Sequence, residues 1–125
     1  MKLLIIDDNK DITTMFSKYF IQKGHSCPVC NNGNNGLNMI TTGDYDIVLL
    51  DLAMPEFSGT DIVGALNQSG KISKLNIVAL TASSVSSEKE EELKNKGVKA
   101  VLKKPIDPDE LLAYLQQLHT KLVQY

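Results

Sequence analysis

Short, continuous apolar runs alternate along this chain with longer stretches whose apolar residues recur at helical spacing. The runs are Leu3-Leu4-Ile5-Ile6, Ile47-Val48-Leu49-Leu50, Ile77-Val78-Ala79-Leu80 and Ala100-Val101-Leu102. Each is brief and aliphatic, as expected of strands covered on both faces of a parallel sheet. A fifth strand is predicted around Cys27 to Cys30. It is more polar and contains Pro28, which cannot donate to a ladder, so it belongs at a sheet edge.

Between the runs lie helical patterns. Ile12, Met15, Phe16, Tyr19 and Phe20 are predicted to share one face of the first helix, and Gly24 to stop it. The segment from Asn31 to Asn38 holds five Asn and two Gly. Gly36 costs the second helix about 1 kcal/mol relative to Ala, so that helix has the least intrinsic support. Two shorter helices are expected near Asp61 to Asn67 and Ser87 to Lys96. The latter has little apolar surface besides Leu93 and should be lightly anchored. The last helix is predicted from about Pro108 to Val123, with Leu111, Leu115, Leu118 and Leu122 as its stripe. Asp107-Pro108 opens it with an N-cap acid and a first-turn proline. Leu112 and Tyr114 lie off that stripe and are expected to offer apolar contact to a partner. Five strand–helix units in regular alternation predict one doubly wound α/β domain over residues 1–125, with helices on both faces of the sheet.

Composition narrows the function. A chain of 125 residues suits a single core, and 42% apolar with 22% charged residues is ordinary for a soluble domain. Thirteen Lys and Arg against 15 Asp and Glu give a charge of -2, which does not supply the basic face of a nucleic-acid binder. The lysines between Lys94 and Lys104 follow Glu88, Glu90, Glu91 and Glu92 and read as a solvated surface. No apolar run approaches the roughly 20 residues that span a bilayer. The run after Met1 is too short, and too soon acidic, for a secretory signal. The expected location is the cytoplasm, without membrane contact. Met1 directly before the first run and a finished last helix are expected of a stand-alone domain.

Cys27-Pro28-Val29-Cys30 has the CxxC spacing of redox sites. Such sites place the first Cys near a helix N-terminus, whereas these four residues read as a strand. Positions three apart in a strand face opposite sides, so the sulfurs should diverge. A zinc site would need further ligands. Both cysteines are expected to be structural. His25 and His119 have no catalytic companion nearby in sequence.

The polar residues at the strand ends carry the chemistry. The first run ends in Asp7-Asp8, the third strand in Asp51, the fourth in Thr81 and the fifth in Lys103-Lys104-Pro105. In an open parallel sheet the ligand crevice lies beyond the carboxyl ends of the strands. The fold would gather these residues into one pocket, where three carboxylates repel unless a cation neutralises them. Hard oxygen ligands and a phosphate partner point to Mg²⁺. Helix capping explains Asp7 or Asp8 singly, but not a Thr and a Lys-Pro at matching ends of two other strands.

Asp7-Asp8, the segment Asp51-Leu52-Ala53-Met54-Pro55-Glu56-Phe57-Ser58-Gly59, Thr81-Ala82 and Lys104-Pro105 together resemble the receiver-domain signature of response regulators, over essentially the whole chain. The resemblance implies a flavodoxin-like sheet of five strands in order 2-1-3-4-5 with five helices. It implies that Asp51 accepts a phosphoryl group from a phosphohistidine on a histidine kinase or histidine phosphotransfer protein. Mg²⁺, or another divalent cation such as Mn²⁺, would be held by Asp8, Asp51 and the backbone carbonyl of Ala53, with Asp7 acting mainly through water. Lys104 would pair with the phosphoryl group and Thr81 would swing toward it. Ala53 and Ser83 would flank the water that later hydrolyses the acyl phosphate. The Lys104-Pro105 bond is expected to be cis. Lys103 should face away from Lys104 by strand alternation.

Such a domain is a signalling switch that modifies only itself. It acts through a downstream partner at the face of its fourth helix, fifth strand and fifth helix, or relays its phosphoryl group onward, or serves as the receiver of a larger regulator. Val101 stands where many relatives carry Tyr or Phe, so coupling to that face must use another route. An aspartyl phosphatase would usually place a second Asp two residues after the nucleophile, where this chain has Ala53. An electron carrier of the flavodoxin type would need a phosphate-binding loop after the first run, which is missing.

Overall fold

The computed structural model describes residues 1–82 and 85–123. Its strands are β1 (Leu3–Ile6), β2 (Val29–Cys30), β3 (Ile47–Leu50), β4 (Ile77–Thr81) and β5 (Ala100–Lys103). The helices are α1 (Lys10–Gln22), α2 (Gly33–Thr42), α3 (Gly59–Gln68), α4 (Ser87–Asn95) and α5 (Pro108–Leu122), with a short 3₁₀ turn at Lys71–Lys74. All pairings are parallel, in the order β2-β1-β3-β4-β5. The expected five-stranded, doubly wound sheet of the flavodoxin type is therefore present.

Alternation along the strands sorts their side chains into two cores. Leu3, Ile5, Ile47, Leu49, Val78 and Leu80 face α1 and α5, meeting Phe16, Phe20, Leu111 and Leu115. Leu4, Ile6, Val48, Leu50, Ile77 and Ala79 face α2, α3 and α4, meeting Ile40, Ile62, Leu66 and Leu93. Every residue of β1, β3 and β4 is buried, which explains why those runs show no polar alternation. Burying one such aliphatic side chain contributes roughly 1.5–3 kcal/mol.

Helix starts follow from capping residues. Asn9 Oδ1 accepts from the Asp11 and Ile12 amides, Asn32 Oδ1 from Asn35, and Ser86 Oγ from Lys89. Ser58 and Asp61 form a reciprocal capping box. Gly24 and Gly97, both at positive φ, close α1 and α4 with the same paired bonds. His25 N–H donates to the Phe20 carbonyl and Gly24 N–H to Ile21; Val98 N–H donates to Leu93 and Gly97 N–H to Lys94.

Several expectations are corrected. β2 is only two residues long, although it does lie at the sheet edge. Met15 is 45% exposed, because the buried stripe of α1 centres on Thr13, Phe16 and Phe20 and Met15 lies about 100° around the helix from Phe16. Leu112 is buried beside Leu111 and Leu115 and offers nothing to a partner; Tyr114 is half-buried against the same cluster. Asp107 holds the N-cap position of α5 but makes no side-chain cap bond. The intrinsic cost of Gly36 to α2 has a packing counterpart: a Cβ there would lie 2.8 Å from Ile6 Cγ2, so the missing side chain lets the helix approach the sheet.

Cys27 packs in the α1/α5 core and Cys30 in the α2/α3/α4 core, both as buried free thiols. Burial pushes the Cys27 thiol up to about 11, which suits a structural residue.

An acidic pocket at the carboxyl ends of the strands

β1 and β3 are adjacent and in register, Ile6 opposite Leu50, so the next residue of each emerges at the same level. Those residues are Asp7 and Asp51. Asp51 N–H donates to the Ile6 carbonyl at 2.9 Å, and Asp7 N–H to the Cys30 carbonyl at 3.0 Å. The ladder thus continues one residue beyond each strand and fixes both backbones. Asp8 follows and is exposed, whereas Asp7 and Asp51 are buried. One carboxylate oxygen from each of Asp7, Asp8 and Asp51 lies within 4.8 Å of the others.

Lys104, one residue past β5, closes the pocket. Its Nζ lies 2.5 Å from Asp7 Oδ2 and 3.9 Å from Asp51 Oδ2, and its side chain is 13% exposed. The Lys104-Pro105 bond is cis, and Lys104 N–H donates to the Thr81 carbonyl at 2.9 Å. Lys103 is exposed, so the two lysines part as strand alternation requires. Thr81 ends β4 and is buried. Ala53 is exposed, with its N–H 3.3 Å from Asp51 Oδ1. Ser83 lies outside the described residues.

The electrostatics follow from this packing. Burial, then the neighbouring Asp7 charge, raises Asp51 to about 6, while the Lys104 ammonium and the Ala53 N–H pull it back. The donor set is all hard oxygen, and Asp8 keeps one side open to solvent. That combination fits a small divalent cation which retains part of its water shell. Among the described residues, every buried side-chain nitrogen or oxygen has a hydrogen-bond partner.

The sequence-predicted acids and Lys104 therefore meet, and three further residues support them in roles the sequence does not assign. Asn9 caps α1 and donates its N–H to Asp7 Oδ1 at 2.9 Å; an Asn directly before a helical pattern was a readable signal. Gly59 allows α3 to start against the pocket floor, since a Cβ there would lie 2.1 Å from the Asp51 carbonyl oxygen. Asn31 donates from Nδ2 to the Asp7 carbonyl and to Thr13 Oγ1, a contact with no sequence signature.

Comparison with known proteins gives a concordant result. The response regulator receiver domain family matches residues 3–116. The chain is 34% identical over 116 residues to the transcriptional regulatory protein DltR of Streptococcus agalactiae, covering 93% of this chain and 50% of that protein. It is 33% identical to the response regulator SaeR of Staphylococcus aureus, covering 98% of this chain and 52% of SaeR. The chain thus spans about half the length of these curated relatives. The structure of the chemotaxis protein CheY4 of Vibrio cholerae superposes with a TM-score of 0.82 at 29% identity, over 93% of this chain and 96% of that one. The response regulator TrrA of Thermotoga maritima, solved in complex with Mg(2+)-BeF, gives 0.76 at 28% identity, over 94% of this chain and 99% of that one. No helix among the described residues is long and apolar enough to cross a membrane. With its fold, its pocket and its match over residues 3–116 in agreement, the chain belongs to the response regulator receiver domain family of two-component systems.

Proposed function

We propose that Asp51 accepts a phosphoryl group from a phosphohistidine on a partner protein, and that this modification changes the surface the domain presents. The observation that carries the reading is the convergence of Asp7, Asp8 and Asp51 within 4.8 Å beside the Lys104 ammonium. A carboxylate raised to about 6 by burial is still mostly ionised at neutral pH and able to attack. Its oxygen forms the new bond to phosphorus as the phosphorus–nitrogen bond of the donor breaks, and the imidazole leaves. Lys104, now on Asp7, is close enough to turn toward the arriving phosphoryl oxygens. Asp8, Asp51 and the Ala53 carbonyl would hold Mg²⁺ or Mn²⁺, with Asp7 acting mainly through water. When bound, the ion supplies the charge neutralisation that phosphoryl transfer requires. Thr81, last in its strand, would carry the change onward by turning its hydroxyl to the new phosphate.

The proposed output face is α4, β5 and α5. α4 begins a few residues beyond Thr81 and buries only Leu93. Val101 is partly buried against the core facing α2, α3 and α4, and as a valine it has no ring to swing there. The change is expected between Ala82 and Leu93, in contact with a downstream protein and in the cytoplasm.

Acetyl phosphate with magnesium should add one phosphoryl group, seen by mass spectrometry, and Asp51→Asn should abolish it. Labelling that persists in chelator, or that lands on another residue, would refute the assignment. Amide exchange with and without beryllofluoride locates the output; changes confined to α1 and α2 would place it on another face.

A further inference from the structure

Of the three carboxylates, two are held by their own contacts. Asp7 accepts from the Asn9 N–H and from Lys104, and Asp51 from the Ala53 N–H with Lys104 nearby. Among the described residues, no hydrogen bond or ion pair fixes the exposed Asp8 carboxylate. Its position therefore depends on the backbone that leads to it, above all on the peptide unit joining Asp7 to Asp8. The carbonyl of that unit accepts from Asn31 Nδ2 at 2.8 Å. The same amide nitrogen donates to Thr13 Oγ1 at 3.0 Å, and the Thr13 hydroxyl, 1% exposed, donates to the Lys10 carbonyl at 3.2 Å.

Both hydrogens of the Asn31 carboxamide are thus spent, one on the loop that carries the acids and one on the first turn of α1. Asn31 itself directly follows β2, whose Cys30 carbonyl takes the Asp7 N–H. The last residue of the edge strand and the residue after it thus hold the two polar ends of the Asp7 backbone. Rotating the Asp7–Asp8 peptide plane would break the Asn31 bond and carry the Asp8 carboxylate away from the other two.

We propose that Asn31 is a positioning residue for divalent-cation binding, acting through the Asp7 carbonyl to aim Asp8 at the ion. The inference rests on the metal-dependent reading above. Asn31→Ala removes the donor, and Asp8 then samples orientations that cannot share a ligand. Outer contacts of this kind typically change metal affinity by about 10-fold or more when removed. Thr13→Val is the matched control, since it loosens the same network but leaves the bond to the Asp7 carbonyl in place.

The test is Mg²⁺ and Mn²⁺ titration of the folded protein by calorimetry, with thermal stability recorded separately. Both variants should lose some stability. Asn31→Ala should bind metal about 10-fold more weakly, while Thr13→Val should stay within about 2-fold of wild type. Native affinity in Asn31→Ala, or equal losses in the two variants, would overturn the assignment. A wild-type chain that binds neither cation would instead overturn the metal reading and this inference with it. The wild type also supplies a test that does not depend on any variant folding. The Asn31 carboxamide proton signals should shift with Mg²⁺ at the same midpoint as the Asp8 amide. Carboxamide signals that stay still while the Asp8 amide moves would overturn the assignment.

Discussion

Helices α1 and α4 each follow a strand whose end contributes to the pocket, yet they are anchored in opposite ways. α1 buries Thr13, Phe16 and Phe20, takes two cap bonds from Asn9, and is tied to the edge segment by Asn31 and by Ser17, whose hydroxyl donates to the Cys27 carbonyl at 2.9 Å. α4 buries Leu93 alone. Its Ser86 cap and its exposed Glu90–Lys94 and Glu92–Lys96 pairs at 3.7 and 3.1 Å all lie within the helix segment itself, so they add little to its hold on the sheet. The acids, which must be held still, emerge beside the firmly tied helix. Thr81, which is proposed to move, sits beside the loosely tied one. Elements of low local stability are the ones a fold can shift at little cost.

The largest expected effect tests that contrast directly. Phe20→Ala should cost about 3–5 kcal/mol in equilibrium urea unfolding and lower amide protection throughout the sheet. Leu93→Ala, at an equally buried site, should cost nearer about 2 kcal/mol because a short helix can settle into the space. Its loss of protection should be concentrated in Ser87–Asn95. Equal global losses in the two variants would show that the helices are not anchored differently.

A somewhat smaller effect concerns the pocket itself. Asp51 titrates near 6 in the folded chain against an ordinary 3.8. Between those values the folded state keeps a proton that the unfolded state has released. The resulting stabilisation is complete below about pH 4 and disappears as pH rises through 6. In chelator, the wild type should lose on the order of 2–3 kcal/mol relative to Asp51→Asn between roughly pH 4 and pH 7. Magnesium should restore much of it at neutral pH. A wild type whose stability parallels the Asn variant across that range would show that the buried charge is not costly.

The smallest effect lies in the loop between β3 and α3. Glu56 has a φ of 67°, a left-handed conformation unfavourable for a long side chain. Glu56→Asn should raise stability by roughly 0.5–1 kcal/mol in thermal or urea melts without changing phosphorylation. A loss of stability would mean that the Glu56 side chain makes a compensating contact.

Much of this was legible before any coordinates. Uninterrupted apolar runs announced the buried central strands because both faces of each are covered. The acids and Lys104 could be assembled in the mind because strand ends in a parallel sheet share one rim. What stayed hidden depended on geometry that no residue type encodes. Gly36 read as a helix weakener, since nothing in the sequence shows that Ile6 lies against it. Leu112 read as free surface because the helical stripe was drawn one residue too narrow. Asn31 was one asparagine among five in a polar stretch, and only the fold distinguishes the one whose amide reaches Asp7.

The two cysteines have a use that follows from their placement on either side of the sheet. The sheet divides the interior into two compartments, and Cys27 and Cys30 put one thiol in each. A small thiol-reactive reagent can reach either sulfur only when the layer covering it opens. The rates at which the two are modified would therefore act as separate clocks, one for the α1/α5 layer and one for the α2 side of the opposite layer. The molecule carries, unaltered, a paired reporter of which side breathes more often.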